Sequence, residues 1–417
     1  MKRILLAISL AILLVGHSAF AQTSGPAREN AAAQQDKPYV VLVSLDGFRY
    51  EYAQKYGATH IENLGRAGIT AEALIPSYPT LTFPNHYSIA TGLYPAHHGI
   101  VDNTFYDPTR DATYTFHDAA AATDGSWYGG TPLWVLAEQQ GMRAACFFWP
   151  GSDADIQHVR PTFYYRYDGS VPNQQRMARV IEWLSLAKAQ RPHFITLYFS
   201  DVDGAGHRYG PEAPETREAV HRVDEIIGEL TKSIAANGVP VNVFVVSDHG
   251  MLAVEGEPLD LSKYADLSGF HVAEGVAQVM LYSRDRELIA KTYAALKDKD
   301  PRFAVFRKED LPARLHYSDN PRIGDLVIMA TAPVLLSAHA SDPHKSQPKG
   351  MHGYDVEKFP SMRGIFYAVG PDLKSGVRIP AFENVNIYPL ITHLLGLNLP
   401  KTDGSLEVLK GILKESQ

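Results

Sequence analysis

Asp46, Asp203, His207, Asp248, His249 and His352 are the side chains of this sequence best suited to holding metal ions. Five of them follow short apolar runs. Asp46 ends YVVLVSLDG, Asp203 and His207 lie in DVDGAGH just after HFITLYFS, and Asp248 and His249 follow VNVFVVS as SDHG. A lone Asp after a strand is ordinarily a turn former or helix cap. Three strands that all end in such groups instead describe the ligand-binding edge of an α/β sheet, where carboxyl ends gather. His352, in the turn GMHG, adds a sixth donor. Carboxylate oxygen and imidazole nitrogen suit zinc at about 2.0–2.2 Å with no thiolate required, and manganese or iron accept the same donors. Six groups divide as three and three, which predicts two metal sites, each keeping one position for chemistry. His86, His97, His98 and His221 have no carboxylate at a telling spacing and read as structural.

The candidate nucleophile is Thr82, in PTLTFPNH. Pro84 is placed to begin a helix, which puts Thr82 at a helix N-terminus, where the dipole favours negative charge. A threonine hydroxyl is a weak nucleophile near neutral pH, and coordination to a metal is the activation it needs. Without the metal cluster, Thr82 would read as a simple helix cap.

Elements that could position these groups follow from the hydrophobic pattern. Segments 39–45, 193–200 and 241–247 are β-branched or aromatic without clean alternation, as in parallel strands covered on both faces. Between them, 176–190 and 214–236 carry apolar residues at helical spacing, the second opening on a proline suited to a first turn. This alternation predicts an α/β fold: a central, mostly parallel sheet flanked by helices. Segments 277–282 and 325–331 read as strands and 285–297 as a helix, so about 264–340 is expected to form a smaller inserted α+β lobe. Segment 363–370 reads as a return to the main sheet and 388–395 as a closing helix.

The chain has 417 residues, 45% hydrophobic and 20% charged, too long for one small module and too apolar for disorder. A formal charge of −7 with no long like-charge run argues against a nucleic-acid duplex as partner. Lys2 and Arg3, the apolar run 4–15 and Ala19-Phe20-Ala21 read as a signal peptide over residues 1–21. Residues 22–37 are expected to be a flexible leader, and 38–417 the catalytic domain. The protein is therefore expected to be exported, periplasmic or secreted, with no membrane association after cleavage. Cys146 is the single cysteine, which excludes an intrachain disulfide, and its apolar surroundings read as core.

Asp46 in SLDGFR, Thr82 in TFPNHY, Asn103 in VDNTFYD, Asp203 and His207 in DVDGAGHRYGP, Asp248 and His249 in SDHGM, and His352 in GMHGY occur in one order along the chain. Together they resemble the nucleotide pyrophosphatase/phosphodiesterase family of the alkaline phosphatase superfamily, from about residue 39 to 399. TFPNH together with SDHGM is the specific part. The resemblance implies an alkaline-phosphatase-like fold and two Zn2+ ions per chain. One ion would sit among Asp46, Thr82, Asp248 and His249, the other among Asp203, His207 and His352. It also implies attack on phosphorus by Thr82, a phospho-threonine intermediate, and a hydrogen bond from Asn103 to a non-bridging oxygen. Phe83 and Tyr198 match positions that flank a nucleobase in such enzymes, although core packing accounts for either. The single cysteine and the short chain resemble the compact bacterial members rather than the disulfide-rich animal ones.

The expected substrate is a small nucleotide phosphodiester or pyrophosphate, hydrolysed to release nucleoside monophosphate. Two divalent cations balance three aspartates and one threonine alkoxide, which suits a singly charged diester better than a doubly charged monoester. No motif assigns a Lys or Arg to the extra monoester oxygens, although Arg160 or Arg166 could fold in. A superfamily monoesterase or phosphonate hydrolase, an exported metal- or nucleotide-binding protein without turnover, and a phosphomutase-type relative remain as alternatives.

Overall fold

The computed structural model describes residues 23–24, 29–254, 256–340 and 346–415. The expected signal peptide lies outside the described residues. Strands β1 (Thr23–Ser24), β2 (Tyr39–Leu45), β3 (Ile69–Ala71), β4 (Ala144–Phe147), β5 (Phe163–Tyr164), β6 (Phe194–Phe199) and β7 (Val241–Val246) precede the inserted lobe. The lobe supplies β8 (His271–Glu274), β9 (Gln278–Tyr282), β10 (Phe303–Arg307) and β11 (Leu326–Ala330), and the chain closes with β12 (Phe366–Val369) and β13 (Val377–Ile379). The helices used below are α1 (Thr82–Thr91), α2 (Asn173–Leu184), α3 (Asp201–Tyr209), α4 (Pro214–Asn237), α5 (Arg286–Leu296) and α6 (Ile387–Leu395).

Nine strands form the central sheet in the order β1-β5-β4-β6-β2-β7-β12-β3-β13. The strands β5, β4, β6, β2 and β7 run parallel, whereas β12 is antiparallel to both β7 and β3. The continuous apolar character of β2 has a direct cause. Val40 and Leu42 enter the core on one face, Val41, Val43 and Leu45 the core on the other. With both faces packed, alternation disappears from the sequence. Register then does the positioning. Ser44 pairs with Tyr198 on one side and with Val246 on the other, so β6, β2 and β7 end level.

The inserted segment makes its own four-stranded antiparallel sheet, β8-β9-β11-β10, over a third apolar cluster with Leu296 of α5 in it. Residues 29–37 differ from the flexible leader expected there. Asn30 is 3% exposed, its side-chain amide donates to the Lys188 and Arg191 carbonyls, and its side-chain oxygen accepts the Arg143 amide. One polar side chain that satisfies three backbone groups can hold a segment whose composition looks disordered. Cys146 is buried in β4, and burial pushes its thiol far up, so it is inert in the native protein. Among the described residues, no helix is long and apolar enough to cross a membrane.

Candidate active site

The level ends of β2, β6 and β7 bring the distant acidic groups together. Asp46 directly follows β2, Asp203 lies in the first turn of α3 just beyond β6, and Asp248 and His249 follow β7. Asp46 and Asp203 are stitched by backbone, the Asp203 amide donating to the Asp46 carbonyl at 3.1 Å. Gly47 sits in this junction at φ 68°, and a Cβ there would lie 2.8 Å from Asp203 Cα. Only glycine meets both demands. His207 lies one turn after Asp203 on α3, its Nε2 3.2 Å from Asp203 Oδ1. His352 comes from the return segment, with Nε2 3.2 Å from His207 Nε2 and 3.6 Å from Asp203 Oδ1.

The three histidines share one orientation. Nδ1 of His207 faces the Gly350 carbonyl at 2.8 Å, Nδ1 of His249 the Gly250 carbonyl at 2.8 Å, and Nδ1 of His352 the Thr80 carbonyl at 3.0 Å. A carbonyl only accepts, so each Nδ1 must carry the proton, and each Nε2 presents a lone pair to the cluster. Facing them are Asp46 Oδ1, Asp203 Oδ1 and Asp248 Oδ2, all buried and without hydrogen-bond partners. Acceptors therefore crowd against acceptors. Asp203, His207 and His352 form one group with ligand atoms within 4.8 Å of one another, and Asp46, Asp203 and His249 form another. Such orphaned donor sets fit divalent cations of the zinc type.

By themselves the carboxylates draw protons onto two of these imidazoles. Burial lowers His207 and His249, but Asp203 outweighs it for the first, raising it to about 9, and Asp248 outweighs it for the second. Burial, then the Asp248 and Asp203 carboxylates, push Asp46 well above the usual carboxylate range. Burial opposes ionisation of Asp203 and Asp248 too, but His207 beside the first and His249 beside the second outweigh it and hold both low. Burial, then His249, pushes His352 down to about 3, so its imidazole stays neutral as a ligand must. A cation at the centre would relieve the carboxylate repulsion that raises Asp46.

Thr82 opens α1, which begins two residues before the expected Pro84 start. Its Oγ1 lies 3.1 Å from His249 Nε2, at the rim of the cluster. Asn103 accepts the Phe83 amide on Oδ1 at 3.0 Å, which leaves its amide NH2 as the free donor. Phe83 is half-buried at the same helix end, its ring centroid 5.3 Å from that of Phe116. Tyr198 is placed differently from Phe83. It is 7% exposed, and its hydroxyl donates to Asp46 Oδ2 at 2.6 Å. The exposed aromatic beside it is Tyr167, 56% exposed, with its ring 6.1 Å from that of Tyr198.

Sequence reasoning missed His86. Fully buried, it places Nδ1 2.9 Å from the Thr82 carbonyl and 3.2 Å from Asp248 Oδ2, and Nε2 2.8 Å from Ser44 Oγ. Both ring nitrogens are taken up by Thr82 and Ser44, so His86 braces the nucleophile's turn against β2 and lies beside the Asp248 carboxylate without a hydrogen bond to it. Its position four residues after Thr82 was the available signal, since such pairs share a helix face. The Asp248 contact, far off in sequence, left none.

An α/β sheet whose strand ends gather Asp and His donors opposite a helix-borne hydroxyl is the architecture of the alkaline phosphatase superfamily. The comparisons narrow this. Residues 40–355 match the family model described as type I phosphodiesterase / nucleotide pyrophosphatase, and the chain belongs to that family. It is 37% identical over 397 residues to ectonucleotide pyrophosphatase/phosphodiesterase family member 1 of Rattus norvegicus, covering 92% of this chain and 43% of that protein. It is 36% identical over 389 residues to venom phosphodiesterase CdcPDE of Crotalus durissus collilineatus, covering 90% and 46%. This chain thus spans less than half the length of these curated relatives. Among solved structures, murine ectonucleotide pyrophosphatase/phosphodiesterase 5, an inactive threonine-to-alanine variant in complex with AMP, superposes with TM-score 0.85 at 28% identity, covering 91% of this chain and 100% of that one.

Proposed function

We propose that the protein is a two-zinc phosphodiesterase and nucleotide pyrophosphatase that releases nucleoside monophosphate through a phospho-threonine on Thr82. The observation that carries this reading is Thr82 Oγ1, 3.1 Å from His249 Nε2, whose cluster also holds the buried, orphaned oxygens of three aspartates. Asp46, Asp248 and His249 would hold one ion with Thr82, and Asp203, His207 and His352 the other. When bound, such ions favour the ionised hydroxyl and offset charge on the reacting and departing oxygens.

The rest is done by the chain. The first turn of α1 directs its positive dipole end toward an anionic phosphoryl group. Thr82 forms the bond to phosphorus in line with the leaving oxygen, and water then cleaves the ester. Asn103, fixed by Phe83, donates its amide to a non-bridging oxygen as charge grows there. Phe83 offers a base an aromatic face, and the exposed Tyr167 is a better second wall than the buried Tyr198. That a threonine-to-alanine variant of the murine neighbour is inactive and binds AMP supports both the nucleophile and the nucleotide.

Diesters are preferred on charge. Arg160, which could have met an extra monoester oxygen, is engaged by Asp155 at 3.3 Å and by the Asp153 carbonyl. The relatives are ectonucleotide and venom enzymes by name, which supports export of this chain.

The test compares parent and Thr82→Ala on a nitrophenyl nucleotide diester and on nitrophenyl phosphate, with metal content assayed in parallel. The parent should favour the diester and lose activity on chelation. Thr82→Ala should keep its metal and fall by about 1000-fold or more. A Thr82→Ala protein that turns over at the parent rate, or a clear monoester preference, refutes the reading.

A further inference from the structure

The residue before Asn103 is a carboxylate at 1% exposure for which the chemistry above has no use. A buried ionised group is costly unless its oxygens are satisfied. For Asp102 they are satisfied from two directions. Oδ1 accepts the Thr104 amide at 3.1 Å, which closes a turn around Asn103. Oδ2 accepts Nε2 of Gln278 at 2.5 Å, and Gln278 is a fully buried residue at the start of β9 in the inserted lobe.

The lobe's hold extends further. Gln278 Oε1 accepts the Tyr78 hydroxyl at 2.8 Å, and the Tyr317 hydroxyl donates to the Val101 carbonyl at 2.7 Å. The β8–β9 turn also presses directly on the carboxylate, since a Cβ on Gly275 would lie 2.4 Å from Asp102 Oδ2. On its other side, Asn103 holds the Phe83 amide in the first turn of α1. A continuous hydrogen-bonded path therefore runs from the lobe through Asp102 and Asn103 to the helix end that carries Thr82.

We infer that Asp102 is a positioning residue for Asn103, and that the inserted lobe sets its geometry through Gln278 and Tyr317. The inference rests on the proposed role of Asn103 as donor to the phosphoryl oxygen. A donor aimed at developing charge must be held tightly, because a misplacement of about 1 Å can cost on the order of 100-fold in rate. The lobe, which contributes none of the predicted metal ligands, acquires a catalytic purpose in this way.

The test is a mutant cycle on the metal-loaded full chain, read as kcat and KM for the nitrophenyl nucleotide diester, with melting temperature and metal content as controls. Asp102→Asn keeps the shape and the Thr104 contact but faces an amide toward Gln278 Nε2. It should lower kcat about tenfold or more with KM and metal content unchanged. In an Asn103→Ala background the same change should cost less than about twofold, because two changes that act through one group do not multiply. The double variant Asp102→Asn with Gln278→Glu puts an acceptor opposite the new donor and should recover most of the loss. If Asp102→Asn fails to fold, Tyr317→Phe tests the path from the lobe side, with kcat several-fold lower at unchanged KM. Losses that multiply in the cycle, or parent kcat in Asp102→Asn or in Tyr317→Phe, overturn this inference and leave the proposed function standing. Parent kcat in Asn103→Ala overturns the donor role and this inference with it.

Discussion

Replacing Tyr198 with Phe removes one oxygen from beside the Asp and His donor cluster and almost nothing else. The hydroxyl donates to Asp46 Oδ2 at 2.6 Å, and the ring packs edge-on to His86 with centroids 5.3 Å apart, a contact that Phe retains. Once a bound cation offsets the repulsion that raises Asp46, the acceptor is ionised, and a buried hydrogen bond to such an acceptor is worth about 1.5–3 kcal/mol. At about 1.4 kcal/mol per factor of ten, its loss should weaken metal affinity or kcat by about 10–100-fold, the range typical of partners that orient metal ligands. Competition with a chromophoric chelator reads the affinity, and turnover of the nitrophenyl nucleotide diester reads kcat and KM. The deficit should fall on metal retention and kcat, with KM unchanged. A Tyr198→Phe protein that holds metal and turns over like the parent, or one changed in KM alone, would refute the argument.

Two further outcomes follow from the surrounding packing. Gly47→Ala forces a side chain into positive φ and against the Asp203 backbone, so it should cost about 1–3 kcal/mol in denaturant midpoints and loosen metal binding together. An unchanged midpoint would refute the close approach. His98 is fully buried beneath α1, where Nδ1 accepts the Ile100 amide and Nε2 faces Ser88 Oγ at 3.1 Å. Burial pushes its imidazole down to about 3 against the Pro84 carbonyl's opposing pull, whereas the unfolded chain titrates near 6.5. Below 6.5 the unfolded chain binds a proton that the native state refuses. The contribution is therefore complete above pH 6.5 and is lost as pH falls toward about 3. His98→Gln should flatten the pH dependence of unfolding in that window, and an unaltered slope would refute a neutral His98.

Strands β2, β6 and β7 were legible because burial on both faces leaves a distinct mark, an uninterrupted apolar run with β-branched residues. The donors at their ends were legible because metal chemistry selects few residue types. Partnership across the sheet was not. Tyr198 reads as a nucleobase-flanking or core aromatic, and only the parallel register, which sets it level with Ser44, brings its hydroxyl to Asp46. Asp102 likewise looks like a turn residue until β9 folds over it. The anchoring of residues 29–37 turned on Asn30 alone, too small a signal against their composition. In each case the deciding contact joins residues far apart in the chain, and no local pattern records it.

The donors of the cluster run from position 46 to position 352, so no partial chain possesses the cage. On the two-ion reading proposed above, the full donor set exists only once the sheet edge and the returning segment have met, so capture of both ions is coupled to the last stage of folding. Bound there, the ions would act as a clasp between the sheet edge and the returning segment. Their uptake reports complete assembly, and stability gained from them scales with their free concentration in the surroundings.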